Sequence, residues 1–400
     1  MSSTDAAIGA SSTVSADRAF FGHPRGLATL FFSEMWERFS YYGLRALLIL
    51  YMTASVSIGG LGLDVATAGI IYGTYTSMVY LMSVPGGWLA DRVLGQRKAV
   101  LVGGILIAGG HFSLAVPAAA FFPLGLTLIV LGTGLLKPNI SVIVGQLYAP
   151  ADERRDAGFS IFYMGINLGA FIGPLITGYL AQSAGFRDTL TGWGLDPTNA
   201  WHWGFGAAGI GMTLGLIQYV LGGRALGEAG LKPGGAPTPE LAAKYRRQVL
   251  IYGAVVFALV AAVGLAAGAG LVAITPAFVR DAAGYSLLVV TVAYFAMMFL
   301  DRQWTAQERG RLWMIFVFFL ASAVFWSVFD QAGSTLNLFA DRSTDNTVFG
   351  FAFPSSWYQS LNPLFIILFA PVFATLWVTL GARQPGSPVK FGLGLIGAAV

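Results

Sequence analysis

Apolar residues run through this chain in stretches of about 20, each enough to cross the ~30 Å hydrocarbon core of a bilayer as a helix. They predict spans over 27–53, 65–89, 98–119, 122–147, 157–182 and 203–222, then 248–273, 283–300, 312–338 and 358–380, with a last one starting near 388. A backbone in lipid has to satisfy its own hydrogen bonds, so helices are the economical reading of such runs. The class is therefore an all-α polytopic membrane protein. Two polar stretches punctuate the pattern. Residues 1–26 form a tail rich in Ser, Thr and Ala, without the basic–apolar–small pattern of a signal peptide. Residues 223–247, with Lys232-Pro-Gly-Gly-Ala-Pro-Thr-Pro239, read as a linker.

Composition agrees with this class: 56% of residues are hydrophobic and only 10% charged, far from the balance of a soluble domain. The absence of cysteine excludes a disulfide framework and thiolate chemistry. His23, His111 and His202 are scattered, which argues against a histidine metal site. The net charge of +4 reads as an orientation signal rather than a mark of an anionic partner such as nucleic acid. Of the 23 basic residues, 17 fall in loops on one side. Only Arg187, Arg280 and Arg342 fall on the other, and Arg38, Arg45 and Lys137 lie within spans. The positive-inside rule then places the N-terminus and the 223–247 loop in the cytoplasm. Residues 388–400 cover only about half a bilayer at 1.5 Å per residue, so the chain as given is expected to be truncated.

Six ionisable residues interrupt the apolar spans: Glu34, Glu37, Arg38, Arg45, Lys137 and Asp330. Each costs roughly 2.5–3.5 kcal/mol on insertion scales, so such groups pair, face a cavity or move ions. On the first span Glu34, Arg38, Tyr41 and Arg45 step by four, three and four and share a face, with Glu37 beside it. On 312–338 and just beyond, Trp326, Asp330, Ser334, Asn337 and Asp341 predict a second polar stripe. Tyr163 and Asn167 share a face of 157–182. Gln359 and Asn362 precede Pro363, which is expected to kink its helix. Lys137, in Gly132-Thr-Gly-Leu-Leu-Lys-Pro-Asn139, needs a carboxylate from the protein or from a ligand. Bland roles compete with these. Buried ion pairs can simply hold helices in register, Arg45 can snorkel to an interface, and Tyr41, Tyr42 and Tyr163 can be packing residues. Gly165, Gly169 and Gly173 predict a close helix contact, and Trp201 and Trp203 an interfacial belt.

The stretch Glu34-Met-Trp-Glu-Arg-Phe-Ser-Tyr-Tyr-Gly43 resembles the ExxERFxYYG motif of the proton-dependent oligopeptide transporters, a branch of the major facilitator superfamily. Companions follow in order. Phe162-Tyr-Met-Gly-Ile-Asn-Leu-Gly169 is similar to the FYxxINxG signature, and Gly132–Asn139 to the fourth-helix lysine segment. Phe325-Trp-Ser-Val-Phe-Asp-Gln331 is similar to the seventh-helix FWxxxEQ, with Asp330 where glutamate is usual. Gly87-Trp-Leu-Ala-Asp-Arg92 resembles the superfamily's loop between helices 2 and 3.

The resemblance implies the major facilitator fold: two six-helix bundles with two inserted helices between them. On this reading 27–222 is the first bundle, 223–247 the linker, 248–300 the inserted pair, and 301–400 the start of the second bundle through helices 7, 8 and part of 9. It implies a bacterial plasma-membrane symporter, not an enzyme, that takes up di- and tripeptides as a monomer. Protons are the coupling ion, and no cofactor is needed. Glu34, Glu37 and Asp330 are expected to handle the proton. Arg38, Lys137, Tyr42, Tyr80, Asn167 and Asn362 are expected to contact the peptide, and Arg45, Asp91 and Arg92 to form gating salt bridges. The short Asp330 is expected to reach Arg45 or Lys137 through water. Protonating Glu37 is expected to free Lys137 or Arg38 for the peptide carboxylate. A nitrate or drug transporter and a peptide-binding membrane sensor are the alternatives.

Overall fold

The computed structural model describes residues 17–235, 238–301 and 303–399. Its first helix, α1 (Arg25–Thr53), has 22 of its 29 residues buried. It is thus the central post of the first bundle, and its charges are hidden by protein rather than by lipid. Seven helical segments among the described residues are long and apolar enough to cross a membrane. α1 is not one of them, because Glu34, Glu37, Arg38 and Arg45 lie inside it.

Around α1 stand α2 (Val65–Leu81) and α3 (Ser83–Leu89), α4 (Gln96–Leu114), α5 (Phe121–Gln146), α6 (Arg154–Gln182), the short α7 (Ala184–Gly192) and α8 (Ala200–Leu221). α1 packs on α6 and α8, and α4 on α5 and α8. The predicted span 65–89 is two helices joined at Met82. Pro85 supplies no N–H to the Leu81 carbonyl, and the helix is interrupted there. The glycine stripe of α6 makes its contact with α1. Cβ atoms added at Gly165, Gly169 and Gly173 would meet Phe31, Met35 and Phe39, and both sets step by four. Matched fourfold ridges of this kind bring two helix backbones together and fix their register.

Two apolar cores fill the bundle at opposite ends of α1. Leu44, Leu47, Met52 and Phe205 belong to one; Leu27, Leu30, Ile140 and Ile143 belong to the other. Trp201 belongs to the first and is 3% exposed, with its indole N–H donating to the Ile58 carbonyl. It is a core residue and not part of an interfacial belt; Trp203, two positions on and facing outward, is 43% exposed.

The linker is tied to the first bundle. Arg97 donates to the carbonyls of Ala229 and Gly227, and the Gly230 N–H donates to Gln146. Then come α9 (Pro239–Gly268) and α10 (Pro276–Leu300), neither with a buried residue, α10 resting against α2. α11 (Ala306–Phe329) opens with a capping box between Thr305 and Glu308. It does not run on through 338 as the sequence predicts. It tightens to a 3₁₀ turn at Asp330–Gly333 and restarts as α12 (Thr335–Arg342). Glycine is a poor helix former, and the carbonyl of Ala332 at the break accepts from the Gln359 amide. The five-residue polar stripe is therefore split, with Trp326 and Asp330 on one side of the break and Asn337 and Asp341 on the other. A two-residue hairpin follows, β1 (Thr347–Val348) with β2 (Phe351–Ala352) antiparallel, turning through Phe349 and Gly350 at positive φ. A 3₁₀ segment, Ser355–Ser360, leads into α13 (Leu361–Leu380), and α14 (Ser387–Ala399) ends the described chain. Pro363 sits in the first turn of α13, where its missing N–H costs no helical bond, so it marks a helix start rather than a kink.

Candidate functional site

Two arginines on α1, seven residues apart, organise the buried charge. Arg38 is 4% exposed and takes its acids from its own helix. Its Nε donates to Glu37 Oε2, its Nη2 donates to Glu37 Oε1 at 2.7 Å, and Glu34 Oε1 lies 3.2 Å from Nε. The guanidinium lies 4.9 Å from the centre of the Tyr41 ring. Glu34 is 3% exposed, and its Oε2 is buried with no hydrogen-bond partner among the described residues. Two carboxylates thus share one guanidinium, and one carboxylate oxygen is left over.

Arg45 is 6% exposed and takes its partners from elsewhere. Its Nε donates to the Tyr72 hydroxyl of α2 at 2.9 Å, and its Nη2 to Asp330 Oδ1 at 2.9 Å. The Tyr42 ring is 6.0 Å away. The expected water bridge to Asp330 is therefore replaced by a direct ion pair. The helical break after Phe329 lets the backbone of 330–333 come close enough for the shorter acid to reach. Arg45 does not snorkel.

Lys137 has no carboxylate within 4.0 Å among the described residues; its Nζ lies 4.1 Å from the centre of the Tyr80 ring. A cation over an aromatic face is held electrostatically but keeps its donors free. Lys137 is within electrostatic reach of Arg38, Glu37, Glu34 and Asp330, which joins it to the same site.

The four inner charges of α1 thus form one continuous site with Lys137, Tyr42, Tyr80 and Asp330, built on two arginine centres. Asn167 lies apart from it, on α6. It is 5% exposed, donates back to the Tyr163 carbonyl, and lines a cleft of about 570 Å³ between α6 and α13 with Tyr163, Met164, Ile366, Ala370 and Pro371. Asn362 is exposed in the first turn of α13. Asp91 and Arg92 stand apart, in the π-helical turn that follows α3. Asp91 accepts from the Gln96 amide, and Arg92 packs between the rings of Trp88 and Tyr245. Neither makes an ion pair among the described residues, where the sequence led to the expectation of gating salt bridges.

Sequence reasoning missed Tyr72 and the seam beside Arg45. Tyr72, Thr76 and Tyr80 step by four, which was the signal for a shared face. In the seam, Asn337 donates to the Ala46 carbonyl, Ser360 to Phe171 and the Trp357 indole to Leu175. Gln182 donates to Ser355 and accepts from the Ser356 N–H. The far ends of α1 and α6 are thereby sealed against α12 and the 355–360 segment, whereas further back α6 and α13 part around the cleft.

Residues 97–400 match the POT family (PTR2). The chain belongs to that family. It is 43% identical over 394 residues to the peptide transporter YePEPT of Yersinia enterocolitica, covering 96% of this chain and 73% of the relative. It is 42% identical over 393 residues to a di-/tripeptide transporter of Lactococcus lactis, covering 95% and 74%. Among solved structures, a peptide transporter POT in complex with sulfate superposes with a TM-score of 0.85 at 46% identity, covering 97% of this chain and 76% of that one. A mutant of a peptide transporter POT in complex with alafosfalin gives 0.83 at 46%, covering 96% and 74%. The architecture is the major facilitator fold, in a membrane transporter and not an enzyme.

Proposed function

We propose that this chain imports di- and tripeptides together with protons, as a monomer in the bacterial plasma membrane with its N-terminus in the cytoplasm. The observation that carries the reading is the unequal state of the two inner cations. Lys137 faces an aromatic ring with no carboxylate within 4.0 Å among the described residues, whereas Arg38 is held by Glu37 and Glu34. A peptide brings a carboxylate, which Lys137 can take directly. Arg38 can join only when its acids let go, and a proton on Glu34 or Glu37 does that. The cation freed by protonation is thus Arg38, not Lys137. Proton and peptide then favour the same state, which is coupling by linkage.

Glu34 Oε2 is the oxygen that a proton would satisfy, which makes Glu34 the first proton site in this scheme. Tyr42, Tyr80, Asn167 and Asn362 are assigned to the peptide, and Asp330 to the seal with Arg45. If the basic loops face the cytoplasm, the sealed end is outside and the α6–α13 cleft opens inward. The chain is then in its inward-facing form, ready to release cargo, and rocking of the bundles exposes the site on the other side. One proton carried with a zwitterion moves one positive charge, worth about 2.3 kcal/mol per 100 mV. Relatives named as peptide and di-/tripeptide transporters support the cargo.

Uptake of labelled dialanine into proteoliposomes tests this. It should follow an inward proton gradient and an inside-negative potential, and be competed by di- and tripeptides but not by nitrate. Competition by nitrate alone would turn the reading to the other substrate class, and binding without uptake would make the chain a sensor.

A further inference from the structure

The Arg45–Asp330 pair is delivered by a turn whose tightest point is Gly333. A Cβ added there would come 2.7 Å from Arg45 Nε and would run into the Tyr72 hydroxyl. That hydroxyl is not free to yield, because it accepts from the same Nε. Four residues on, Asn337 donates to the carbonyl of Ala46, the neighbour of Arg45. Backbone and side chain of the second bundle are thus pressed onto α1 and α2 at this level.

We propose that Gly333 is a positioning residue of the seal: its missing side chain sets how far the second bundle closes over Arg45, with Tyr72 as its counterpart on the first bundle. The close approach is also what brings the short Asp330 carboxylate into direct contact with Arg45. The contact exists only where the two halves meet. A methyl at 333 therefore penalises the sealed state, leaves the open state untouched, and shifts the population toward opening. The meaning of the seal for transport rests on the peptide-transporter reading; its closure is a property of the molecule without cargo.

The chain has no cysteine, so single reporters can be placed in an otherwise silent background. Ser360, 2% exposed and bonded to Phe171, reports on the seal as Ser360→Cys. Ala208, fully buried in α8, reports on the integrity of the first bundle as Ala208→Cys. Gly333→Ala should raise maleimide labelling of Ser360→Cys about tenfold while Ala208→Cys stays protected. Adding Tyr72→Phe removes the nearer of the two atoms the methyl would strike, and should return at least half of the change on a logarithmic scale. Unchanged labelling in Gly333→Ala, equal gains at both reporters, or no recovery in the double variant would each overturn the proposal. Labelling is read without peptide or proton gradient, so a failure to move dialanine would leave this result standing.

Discussion

The two arginine centres of α1 solve the same problem in opposite ways. Arg38 is neutralised within one turn of its own helix, by Glu34 and Glu37. Arg45 is neutralised across the molecule, by Asp330, 285 residues away, with Tyr72 from α2 as a second acceptor. A pair made within one helix survives any rigid movement of the bundles and changes only when its charge changes. A pair made between bundles breaks whenever they part. The first is therefore suited to sensing a proton, and the second to reporting which end of the molecule is closed. They also differ in cost. Removing one partner of a fully buried pair costs about 3–5 kcal/mol. Asp330 keeps 37% of its side chain exposed, so solvent screens the second pair and loosens it.

The largest test of this division is Glu34→Gln. Uptake driven by a proton gradient should fall by roughly two orders of magnitude or more, since a neutral amide cannot exchange a proton, while peptide counterflow persists. Driven uptake at the parent rate would remove Glu34 from the proton path. Lys137→Gln comes next: the peptide concentration for half-maximal counterflow should rise roughly ten- to hundredfold, from loss of a charge-assisted bond. N-acetylation of the peptide should add to that change, whereas blocking its carboxylate should not. Asp330→Asn is expected to act on the seal more than on affinity. Labelling of Ser360→Cys should rise about threefold, from weakening a solvent-screened pair, with the pH dependence of counterflow unchanged. A shift in that pH dependence would mean that the two centres are not separate.

The smallest effect is far from both. His23 bonds Tyr148, and burial together with the nearby Arg154 holds its imidazole below the ordinary value. The neutral form is favoured when folded, so the unfolded chain binds more protons as pH falls below the unfolded imidazole value of about 6.5. Stability is lost in that direction. His23→Gln should remove this part of the fall in melting temperature between pH 7 and 5; an unaltered slope would show that the residue does not contribute.

Much of the site was legible because its residues are local. Glu34, Glu37, Arg38 and Arg45 fall on neighbouring faces of a single helix, and periodicity alone brings them together. The glycines of α6 at every fourth position announced a close contact, though not that its partner was α1. Tyr72 was missed because one tyrosine in an apolar run looks like packing. Trp201 was misread because a tryptophan near a helix start is as often interfacial as buried, and only the Ile58 carbonyl decides it. The stripe on 312–338 failed because periodicity assumes an unbroken helix.

By itself the sequence determined the class, the rough position of most helices, the family motifs and the inventory of buried charge, for these follow from composition and helical period. The tertiary structure alone decided the pairing. Coulomb attraction would accept several combinations of three acids and three bases, and the sequence left Asp330 open to Arg45 or Lys137. The break after Phe329 and the bare Cα of Gly333 brought Asp330 to Arg45 and left Lys137 facing a tyrosine ring. Which charge finds which is set by how closely two backbones can approach, and no periodicity in the chain records that distance.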